Sequence, residues 1–152
     1  MEIFSNAQLR RMLADVSQEV CEEIIDKALE ALKEWIDMIV YSSPNRGSYE
    51  RTMQFEECAW DTLKQKLNMY VAQSELFYNP ELFTPADNEA SPRAHEQADK
   101  LADLIIRGYD AYGKPEFPVP PRDYWSAFKM QLNNEWDNWV KSAYRKRGLQ
   151  VY

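Results

Sequence analysis

The chain has only four glycines, two cysteines and one histidine in 152 residues. Each shortage removes a class of function. The glycines at 47, 108, 113 and 148 never cluster, so no glycine-rich loop can wrap backbone N–H groups around a phosphate. A catalytic triad would have to use His95, and no glycine-flanked serine or nucleophile-like cysteine accompanies it. His95 with Asp99 and Asp103, one and two turns later on a helix, offers a single nitrogen where zinc or iron wants several nitrogen or sulfur ligands, and these residues read as a polar helix face. Cys21 and Cys58 lack CxxC spacing and imply no disulfide framework; Cys21, inside an apolar stripe, reads as a small core residue. No stretch approaches the ~18 apolar residues of a membrane span. The opening MEIFSNAQLRRM has no basic segment followed by an apolar run, so export by a standard signal and bilayer insertion are not expected. Carboxylate neighbours such as Glu22/Glu23 and Glu56/Glu57 diverge on a helix or a strand and make poor acid/base pairs. The expectation is a non-enzyme with no catalytic, cofactor-binding or metal residues and no cofactor.

Hydrophobic residues make up 45% and charged residues 28% of the chain, a composition that folds, and the length suits a single domain over residues 1–152. The net charge of -7 opposes nonspecific binding to nucleic acid or an anionic membrane. It is unevenly spread: residues 1–41 carry nine acids and four bases, whereas residues 122–152 carry three acids and six bases. A negative body with a positive tail favours head-to-tail contact between copies.

Start signals for a helix are clear at the N-terminus. Ser5 and Gln8 have capping-box spacing, and Phe4 can staple onto Leu9. From about Asn6, apolar residues from Leu9 to Ile39 recur at three- and four-residue steps, predicting one amphipathic helix over 6–41. Pro44 and Gly47 then break the pattern, giving a loop over 42–52. Residues 53–72 satisfy helical and strand periodicity alike, while YVAQSELFY (70–78) is rich in β-formers. NPELFTPADNEASP (79–92) reads as a loop. Ser91 and Pro92 open a second helix, 92–112, closing near Gly113. A proline-rich connector, 113–121, leads to a last helix over 122–147 with Asp123 in its first turn. Trp125, Phe128, Trp136 and Trp139 lie along one face of it, and it ends in Arg145, Lys146, Arg147 and Gly148. The tryptophans read as core or as subunit contacts.

The stretch YSSPNRGSYERTMQF after the long helix, with a strand passing through Trp60, resembles minor neck proteins of long-tailed bacteriophages and prophages, the head-to-tail connector or tail-completion family. Pro44, Tyr49, Arg51 and Thr52 fall on the family's Pro-containing loop and Tyr-x-Arg-Thr motif; Met53 stands where glycine is frequent. ELFYNPELF resembles the family's strand ending in a Tyr-x-Pro turn, and LADLIIRGYDAYG its short helix ending in glycine. The resemblance implies an α+β fold with the long helix on a small antiparallel sheet formed from about 52–78, which decides the ambiguous segment for a hairpin (53–78). It further implies an oligomeric ring at the portal-to-tail junction of the virion, made in the bacterial host cytoplasm, with no catalysis. Its partners would be further copies and the phage portal, adaptor or tail proteins, with no membrane and no sequence-specific nucleic acid, though an acidic ring could passively line a DNA channel. Pro44, Tyr49, Arg51, Thr52 and Trp60 are then the motif and interface residues, and Arg145, Lys146 and Arg147 a further contact at the C-terminal end. The alternative from another class is a cytoplasmic adaptor or regulator that binds a protein partner through its aromatic C-terminal helix.

Overall fold

The computed structural model describes residues 5–42, 55, 60–68, 71–79, 100–110, 115–116 and 118–152. The fold is α+β, as expected. Helix α1 runs Asn6–Ile36 and passes into a π-helical turn, Asp37–Tyr41. Strands β1 (Trp60–Asn68) and β2 (Val71–Tyr78) form a two-stranded antiparallel sheet. Helix α2 (Leu101–Arg107), strands β3 (Tyr109–Asp110) and β4 (Pro118–Val119) and helix α3 (Tyr124–Lys146) follow.

The capping box holds α1 in place. Ser5 N donates to Gln8 Oε1 at 2.8 Å and Gln8 N donates to Ser5 Oγ at 3.3 Å, so two N–H groups at the helix start find reciprocal acceptors. The stapling residue Phe4 lies outside the described residues.

The ambiguous segment resolves into strand from Trp60 onward, while Phe55 is helical, so the hairpin starts later than position 53. The second helix also departs from expectation. It ends at Arg107, not near Gly113, because Gly108 takes φ 77° and its N–H closes on the Leu104 carbonyl at 2.8 Å. The chain leaves that glycine extended, and Tyr109 and Asp110 pair antiparallel with Val119 and Pro118. Part of the presumed connector is therefore strand; the predicted start at 92 lies outside the described residues. The last helix begins at Tyr124. Asp123 caps it, its Oδ1 accepting from Ser126 N at 2.9 Å, and this bond holds the Asp123 carboxyl below its ordinary pKa.

The chain divides into two compact units. The first comprises Met1–Leu29, Thr62–Phe77 and Gln131–Tyr152. In it, α1 and the end of α3 lie antiparallel around buried Val20, Ile24 and Ala143, with Val16, Val140 and Tyr144 packed against them. The hairpin is held to α1 by Lys64–Asp26 at 2.6 Å, Lys66–Asp15 at 3.0 Å and a Cys21 Sγ to Ser74 Oγ hydrogen bond at 3.3 Å. The second comprises Glu30–Asp61 and Tyr78–Met130. Its core holds Leu32, Ile36, Val40, Phe55, Trp60, Tyr124 and Phe128. Arg122 ties it together: its N–H donates to the Ile105 carbonyl at 2.9 Å and its Nη1 to the Val40 carbonyl at 3.0 Å, satisfying an acceptor at the end of the π turn.

Candidate assembly surface

Of the motif residues, Pro44, Tyr49, Arg51 and Thr52 lie outside the described residues. Trp60 opens β1 and is 8% exposed, so it is a core residue and not a contact surface. Around it stand Phe55, Tyr78, Tyr124 and Trp125, with Phe128 beyond. Trp60 stacks on Trp125 at 5.6 Å between ring centroids and meets Tyr124 edge-on at 6.4 Å. Trp60 Nε1 and Tyr124 Oη are buried without a hydrogen-bond partner among the described residues. Burial, with the neighbouring Tyr78 and Asp123, pushes the Tyr124 hydroxyl above its ordinary pKa, so it stays a protonated donor. An orphaned buried hydroxyl costs about 1–3 kcal/mol. Tyr124→Phe is accordingly expected to leave stability unchanged or to raise it by about 1 kcal/mol, read from the urea midpoint; a loss above that size would mean that the hydroxyl has an acceptor.

The C-terminal bases behave differently from one another. Arg145 Nη2 donates to the Val151 carbonyl at 3.3 Å. Lys146 Nζ meets Glu23 at 2.7 Å. Arg147 turns inward: Nε reaches Glu19 at 2.9 Å, while Nη1 reaches Glu23 at 2.7 Å and donates to the Ala143 carbonyl at 3.0 Å. Hydrogen bonds from Lys146 and then Arg147 hold the Glu23 carboxyl at a pKa of about 2, and Glu23 and Glu19 in turn hold Arg147 charged. The expected outward patch is thus largely an intrachain clamp, because Gly148, at φ 78°, ends α3 and carries the chain away just where two α1 carboxylates face it. Glu19 and Glu23 were the residues sequence reasoning missed; their four-residue spacing on one helix face was the available signal.

Next to this clamp, a groove of about 210 Å³ lies on the first unit. Val20, Ile24 and Val140 line it, with Cys21, Trp136 and Tyr144. The Tyr144 hydroxyl bonds the Ser17 hydroxyl at 3.1 Å. Trp136 is 45% exposed, large for a tryptophan with so apolar a setting. Among the described residues no group of three His, Cys, Asp or Glu side chains could hold a metal ion, and no helix is long and apolar enough to cross a membrane. His95 lies outside the described residues. The arrangement offers apolar surface, rigid aromatics and fixed charge pairs, which is the chemistry of protein contact. No protein-family model, curated protein or solved structure matches this chain.

Proposed function

We propose that this protein is a non-catalytic structural component of the phage neck, assembling with copies of itself as a ring at the portal-to-tail junction of the virion. The observation that carries the reading is the hairpin that opens at Trp60, downstream of a long amphipathic helix and of the Tyr-x-Arg-Thr motif, in the order that the resemblance implies. A core tryptophan at the start of β1 gives that motif a fixed platform, and the half-exposed Trp136 supports a role in contact with other proteins. The partners are then further copies together with portal, adaptor or tail proteins.

The test is reconstitution. A phage or prophage genome lacking this gene is expected to yield separate DNA-filled heads and complete tails, and the purified chain is expected to restore infectious particles. Joined particles formed without it would overturn the reading. A chain that stayed monomeric and bound a single host protein would favour the adaptor instead.

A further inference from the structure

One face of α1 is left without a partner. Leu9, Met12 and Leu13, at helical i, i+3, i+4 spacing, are 48%, 49% and 44% exposed although they continue the stripe that is core from Val20 onward. The cause is length. The end of α3 lies beside Glu19 and Glu23, where Lys146 and Arg147 make their ion pairs, so the earlier turns of α1 run past it. Arg10 and Arg11, in the same turns, are exposed and have no ion-pair partner among the described residues.

The groove has complementary features. A dry cavity of ~150 Å³ holds a benzene-sized group, so about 210 Å³ admits a leucine or methionine side chain. Its wall is a rigid half-exposed tryptophan, the residue type that most often anchors interfaces. Beside it stand two exposed acids, Asp137 next to Trp136 and Glu75 next to Ser74. A chain cannot fill its own groove with this strip, since Leu13 and the groove residue Ser17 are one turn apart on the same helix.

Resting on the self-assembly proposed above, we infer that the first three turns of α1 in one copy seat in the Trp136 groove of a second copy. Leu9, Met12 or Leu13 enters the groove, and Arg10 and Arg11 meet the acids at its rim. With a net charge of -7, copies repel one another at long range, so a contact needs this local opposition of charge.

Sedimentation velocity on the full chain tests it with exposed substitutions that leave the core alone. Arg10→Glu with Arg11→Glu, and separately Glu75→Lys with Asp137→Lys, are each expected to weaken association about tenfold or more. An equimolar mixture of the two variants is expected to regain it, because each then presents the charge that the other needs. Variants that assemble like the wild type, or a mixture no better than its parts, would overturn the contact while leaving ring assembly standing. A wild-type chain that sediments as a monomer at every concentration would remove both.

Discussion

Replacing Phe128 with alanine is expected to lower the free energy of unfolding by about 3–5 kcal/mol. Phe128 is 1% exposed, and its ring centroid lies 5.4 Å from that of Trp125, which itself stacks on Trp60. Truncation removes the transfer energy of a buried ring and leaves a hole bounded by other aromatic rings, which cannot collapse into it without leaving their rotamers. For a chain of this size the loss corresponds to a fall of roughly 10 °C in Tm. Urea unfolding followed by tryptophan fluorescence reads the change directly. A loss below about 1 kcal/mol would mean that the aromatic cluster is not close-packed.

Arg147→Ala is expected to cost about 2 kcal/mol, through the loss of both ion pairs and of the donor to the Ala143 carbonyl, with Glu19 and Glu23 left facing each other. Its signature lies in the pH dependence. The Glu23 carboxyl has a pKa of about 2 in the folded chain against 4.5 ordinarily, held there by the Lys146 and then the Arg147 hydrogen bond. A folded value below the unfolded one means that the carboxylate binds its partners more strongly than water does. Its contribution is full above about pH 4.5 and is lost as the pH falls toward 2. Solvent screening of this partly exposed group limits the contribution to about 1–2 kcal/mol. Stability measured between pH 5 and 2.5 is therefore expected to fall less steeply in Arg147→Ala than in the wild type, and Arg147→Lys, which keeps the charge and loses the fork, is expected to lie between them. Equal slopes in all three would remove the clamp from the account.

Local signals were the legible part of the fold. The capping box at Ser5 and Gln8 and the apolar stripe of α1 depend on neighbours a few residues away, and both are present. Periodicity could not choose between helix and strand for 53–72, because the choice rests on Trp60 and Tyr78 meeting aromatic residues of α3, contacts remote in sequence. Gly108 was passed over as a helix end since Tyr109 continues the helical spacing; what overrides it is the pairing of Tyr109 with Val119, ten residues on. The C-terminal bases were legible as a cluster but not in their direction. Whether Arg147 faces solvent or Glu23 depends on where α3 lies against α1, which no local pattern encodes.

The pairing of α1 with the end of α3 bears also on how the chain comes to be folded. Glu19 and Arg147 are 128 residues apart in sequence, and Glu23 and Arg147 are 124 apart. Closing so long a loop costs entropy that no contact repays until both ends are present, so the first unit has a high contact order and folds slowly. On the ribosome, Val20 and Ile24 emerge early and wait for Ala143 to cover them. Through most of synthesis the nascent chain displays an apolar helix face, open to chaperones and to premature association with its neighbours.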